Sequence, residues 1–145
     1  VLASPEFGGI GGAEFAIAFD PPGFESELTT LARELPTDGL IFEPNPWEFA
    51  VGYSTPLNLI QSQTVLLHWT VMLNSEATGT VSLGPISVPT IPGEMGYASW
   101  SSPTDVRVMK PYSAGYQHDM PVFGFNTEVV RTDETSWSNV KALFD

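Results

Sequence analysis

The chain has no cysteine, two histidines, five basic side chains in 145 residues and no long apolar run. Each scarcity removes a class of function. Without cysteine there is neither a disulfide framework nor a thiolate metal site, so redox chemistry gives no reading of the compartment. Two histidines are too few for a nitrogen-rich zinc site, and a structural zinc would have to lean on carboxylates. No stretch approaches the ~18 apolar residues of a membrane span, and no basic segment leads into an apolar one as in a secretion signal. The shortage of cations bears on partners. Seventeen acidic residues give a formal charge of −12, and through residue 75 the only basic side chain is Arg33, set against nine carboxylates from Glu6 to Glu48. Such a field repels a phosphate backbone and favours cations or basic partners, so nucleic-acid binding through this domain is not expected.

What is present is enough to fold. The chain is 42% hydrophobic and 12% aromatic, whereas acidic disordered chains lack such residues. Its length suits one domain that buries roughly two-thirds of the surface exposed by the unfolded chain. It begins with Val, as a processed or excised chain would, and Ser4-Pro-Glu-Phe7 resembles a cloning remnant. Residues 1–7 are therefore set aside. Residues 1–12 are expected to form a flexible lead-in, and 13–145 a single β-rich domain. Gly8-Gly-Ile-Gly-Gly12 is not expected to hold phosphate, because the stretch that follows has strand periodicity where a dinucleotide fingerprint needs a helix.

Two-residue alternation dominates the rest. Phe15, Ile17 and Phe19 share one face of a strand; Trp47, Phe49, Val51 and Tyr53 share one face of another. Thr64–Leu73 followed by turn residues and Thr80–Leu83 predicts a β-hairpin, with its first strand covered on both sides and central in its sheet. Further strands are expected at Leu40–Phe42, Tyr97–Trp100, Val106–Met109 and Phe123–Arg131. At Gly84-Pro85 the apolar phase slips by one residue, as at a bulge or corner. Phe24, Leu28, Leu31 and Leu35 instead follow helical spacing, with Glu25 and Glu27 near the start, and the tail from Thr132 to Phe144 has a cap followed by apolar spacing. The expected fold is mainly β: an antiparallel β-sandwich or barrel, jelly-roll-like as one form, with one or two short helices.

Candidate chemistry is sparse. His68, next to Thr70 on its strand face, has a hydrogen-bonded structural histidine as its default reading. His118-Asp119 suggests an acid–base pair, although adjacent residues on an extended loop point apart and no G-x-S-x-G context accompanies them. Carboxylates could supply a hydrolase pair or calcium ligands; the clusters are Asp20 with Glu25 and Glu27, and Asp133 and Glu134 with Asn126. Calcium is the one cofactor considered, with Asp133, Glu134 and Asn126 as its candidate ligands. The aromatics Tyr97, Trp100, Tyr112 and Tyr116 fall in loop-rich segments, where they suit either a glycan or peptide platform or packing beneath loops.

The strands Trp47-Glu-Phe-Ala-Val-Gly-Tyr53 and Thr64-Val-Leu-Leu-His-Trp-Thr-Val-Met-Leu73, joined by Pro, Ser and Thr loops in a cysteine-free chain, resemble the coat or surface-projection domains of small non-enveloped RNA viruses. The resemblance covers residues 40–131. It implies a capsid piece that self-associates and contacts a glycan or protein receptor, at a virion surface or outside the cell, with no catalytic residue. Coat proteins often carry a basic RNA-packaging arm; none is present, and an outward-facing domain needs none. The alternatives are a carbohydrate-binding module or lectin, with or without calcium, and a small acid–base hydrolase.

Overall fold

The computed structural model describes residues 9–59, 64–111, 118 and 120–128. It is mainly β and antiparallel, with two sheets that do not close into a barrel. The strands are β1 (Ile10–Asp20), β2 (Leu28–Glu34), β3 (Gly39–Phe42), β4 (Glu48–Leu57), β5 (His68–Leu73), β6 (Gly79–Gly84), β7 (Met95–Ser99), β8 (Val106–Met109) and β9 (Pro121–Phe125). β1 organises the larger sheet. One of its edges pairs with β4, which in turn pairs with β3. Its other edge is shared: β7 takes Ile10–Glu14 and continues to β8, while β6 takes Ala16–Asp20 and continues to β9. β2 and β5 form a separate two-stranded sheet.

The alternation in β1 and β4 places Phe15 opposite Phe49, and with Val51 and Tyr53 these form the main core. A second cluster gathers Phe24, Val81 and Phe125 beneath Leu28, Val71 and Leu73 of the small sheet. Leu66 bridges toward the main core, where the Tyr53 hydroxyl donates to its carbonyl at 2.8 Å. Burial pushes the Tyr53 hydroxyl well above the ordinary tyrosine value. The folded protein thus keeps a proton that the unfolded chain releases, so this stabilisation is whole below about pH 10 and falls as the pH rises beyond it. Tyr53→Phe should lower stability by about 1 kcal/mol near neutral pH, through the lost hydrogen bond. It should also flatten the alkaline decline in urea midpoint; equal alkaline slopes for the two proteins would overturn this assignment.

Four expectations need correction. Ile10–Gly12, expected in the lead-in, belong to β1, and Ile10 is fully buried. β5 and β6 are not a hairpin, and β5 is not central. Asn74 and Ser75 bind back to Glu27 and Thr29, so the chain crosses from the small sheet to the large one. His68, Thr70 and Met72 are consequently exposed on the outer face of β5. The helical spacing from Phe24 resolves into a short 3-10 turn, Phe24–Glu27, and then strand β2. Bulged Leu31 interrupts the register between Thr30 and Ala32, and one inserted residue turns strand spacing into an imitation of helical spacing. β4 runs on through Ser54-Thr-Pro56 to Leu57, with the proline beside an irregularity in the β1 register. The phase slip at Gly84-Pro85 is a corner where β6 ends. The strand expected to reach Arg131 stops at Phe125, before Asn126 in the left-handed region (φ 51). Residues 129–131 and the tail helix expected from Thr132 lie outside the described residues.

Candidate functional site

The outer edge of β3 is the first candidate. Leu40, Ile41 and Phe42 are consecutive apolar residues, and a strand sends neighbouring side chains to opposite faces. Pairing puts Leu40 beside Gly52 and Phe42 beside Ala50, on the face opposite to that of Val51 and Tyr53. Neighbours that small give little cover, and Leu40 is 80% and Phe42 65% exposed. Ile41 stands on the core side, beside Val51. The other edge of β3 meets no strand among the described residues. An exposed apolar strand with unpaired backbone groups is a template for another chain. Gly39 is required for the close approach to β4, since a Cβ there would collide with the carbonyl oxygen of Gly52.

Behind this edge lies a cation among rings. The Arg33 guanidinium stands 5.0 Å from the ring centroids of both Trp47 and Phe49 and pairs with Glu43 at 2.8 Å. Trp47 is held in the left-handed region (φ 65) by its N–H to Glu43 Oε1 and by its carbonyl, which accepts from the Ile17 N–H. Its ring also meets Phe19 and Trp69 edge-on, at 4.8 and 5.4 Å. Several independent contacts are what a bulky residue needs to persist at positive φ.

The second candidate is a cleft of about 470 Å³ between the sheets, bounded by Phe15, Ile17, Trp69, Val71, Val81 and Leu83 among others. Small-molecule pockets of this size orient their ligands with a few convergent polar groups. Here the polar side-chain groups in the described lining are the Thr64 hydroxyl and the Trp69 indole N–H, and the indole donates to Thr30 Oγ1 at 3.0 Å. No carboxylate, amine or imidazole lines the cleft among the described residues.

Of the sequence-derived ligand residues, Tyr97, Trp100 and Asn126 are among the described residues. Tyr97 is a core residue, 2% exposed, which excludes it from a surface platform. Trp100 is 42% exposed, just past β7. Tyr112 and Tyr116 lie outside the described residues, as do Asp119, Asp133 and Glu134. Asn126, the described member of the calcium set, donates its amide to the Ala77 carbonyl at 3.1 Å. The described residues contain no group of three or more potential metal ligands.

Carboxylates act instead as staples. Glu14 accepts from Thr90 N–H and Oγ1, and Glu48 from Asn45 Nδ2 and from Ser87 N–H and Oγ, so the loop after β6 is tied to β1 and β4. The Asn45 amide, then the two Ser87 donors, hold the Glu48 carboxyl below its usual range. Glu94 Oε2 meets both Lys110 Nζ and His118 Nε2 at 2.7 Å. The bonds from Lys110 and then His118 lower the Glu94 carboxyl in the same way. His118 therefore faces Glu94, from the loop before β7.

Comparison of the chain with protein-family models, with curated proteins and with solved structures found no match. The β3 edge was the feature that sequence reasoning overlooked. Its signal was present: three consecutive apolar residues in so short a strand leave at least one parity facing out.

Proposed function

We propose that this chain is a structural and recognition module, a coat or surface-projection domain that assembles with its neighbours through sheet edges and offers its remaining surface to a glycan or protein receptor. The observation that carries the reading is the β3 edge, with Leu40 and Phe42 exposed beside backbone that no strand pairs among the described residues. Natural sheets usually protect such edges with lysine, proline or a covering loop. β3 has no charged residue and no proline between Gly39 and Phe42. A mainly apolar cleft and carboxylates engaged in holding loops agree with a module whose work lies in contacts. The glycan-binding alternative retains only Trp100 of its four aromatics among the exposed described residues.

Light scattering over a range of concentrations tests the proposal. Dimers or larger species should appear as concentration rises, and more readily at higher salt, because salt screens repulsion between copies of charge −12. A strictly monomeric chain at every concentration and salt would overturn it.

A further inference from the structure

The Ser54 N–H donates to the Asp38 carbonyl at 2.7 Å. This bond fixes the parity of the β3 edge. Asp38 and Ser54 continue the β3–β4 register, in which Leu40 faces Gly52 and Phe42 faces Ala50. Hydrogen-bonded pairs recur at every second residue of an antiparallel ladder. Leu40 and Phe42 therefore direct their backbone groups toward β4, while Gly39 and Ile41 direct theirs to the opposite edge, which meets no strand among the described residues.

Resting on the assembly reading above, we infer that the partner at this edge is a second copy of the chain, joined β3 to β3 antiparallel across a two-fold axis through Ile41. A symmetric pairing must place outward-directed residues opposite each other, which rules out an axis between two residues. With the axis at Ile41, the two Ile41 residues exchange N–H···O bonds. Each Leu40 then lies opposite the other copy's Phe42 on the exposed face, and each Gly39 opposite Glu43. Moving the axis to Leu40 sets Phe42 against Asp38; moving it to Phe42 sets Ile41 against Glu43 and Leu40 against Pro44. Only the Ile41 register gives each of Leu40, Ile41 and Phe42 an apolar partner. It also brings no two carboxylates face to face, since Asp38 meets Pro44 and Glu43 meets a glycine. Glu43 is already neutralised by Arg33 at 2.8 Å. The contact is isologous and closes on itself, as two-fold interfaces do.

The test uses the full chain, which conveniently lacks cysteine. Ile41→Pro removes an outward donor from each copy while leaving the β3–β4 bonds in place. It should weaken dimerisation in sedimentation velocity by about tenfold or more, with an unchanged circular dichroism spectrum. Under mild oxidation Ile41→Cys should form a disulfide dimer, because directly opposed residues stand within bridging distance. Leu40→Cys alone should not, whereas Leu40→Cys with Phe42→Cys should. Association that survives Ile41→Pro, or Leu40→Cys cross-linking as readily as Ile41→Cys, would overturn this pairing and leave the assembly reading standing. An unaltered chain that never associates would overturn both.

Discussion

Phe49→Ala is expected to lower stability by about 3–5 kcal/mol, the range for removing a buried aromatic ring. Phe49 is fully buried, its ring centroid 5.5 Å from that of Phe15 in a stacked pair and 5.0 Å from the Arg33 guanidinium. Truncation leaves a cavity beneath Phe15 and takes one of two ring faces from a partly buried cation. Domains of this size are stable by only about 5–15 kcal/mol, so much of the chain's stability depends on this one ring. Phe49→Leu keeps most of the volume and should cost distinctly less, because volume-conserving exchanges in cores are tolerated best. Urea unfolding followed by tryptophan fluorescence would measure both. A Phe49→Ala loss below about 1 kcal/mol would mean that the ring is not the keystone of the main core.

The second large effect is expected from adding a single methyl. Gly79 is buried on β6 opposite Phe125, and a Cβ on it would lie 2.5–2.7 Å from three atoms of the Phe24 ring. Phe24 itself is buried and leans on Phe125, with ring centroids 5.5 Å apart. Gly79→Ala must push this ring out of its seat. The strain of overpacking, about 1–3 kcal/mol, outweighs the 0.4–1 kcal/mol that alanine gains by restricting the unfolded chain. The cost should be strongly non-additive with Phe24→Leu, since the smaller side chain vacates the contested space. A double-mutant cycle in urea would show a coupling near zero if Phe24 were not seated on this glycine.

These substitutions mark where the fold was legible in the sequence. β1 and β4 each carry an uninterrupted alternation, so their buried faces can be read residue by residue, and Phe15, Phe49, Val51 and Tyr53 are in the core as that pattern requires. Pairing was less legible, because periodicity tells which side of a strand is apolar and not which strand lies beside it. β5 and β6 have the spacing and turn residues of a hairpin, yet Glu27 and Thr29, far back in the chain, hold the connection and direct the two strands into different sheets. At β2 the bulge at Leu31 disguised strand spacing as helical spacing. Long-range contacts were illegible for the same reason: Tyr97 is buried within β7, and Glu94 comes to His118 only through the fold.

The small sheet has a kinetic consequence. Leu28 must find Leu73 and Glu34 must find His68, while the intervening β3 and β4 are built into the other sheet. Two strands separated in this way gain nothing until a long loop has closed, and topologies rich in such contacts fold slowly, on the order of milliseconds to seconds. The two strands that cover the second core cluster are thus joined across two others that belong to a different sheet, which raises the contact order of the whole chain.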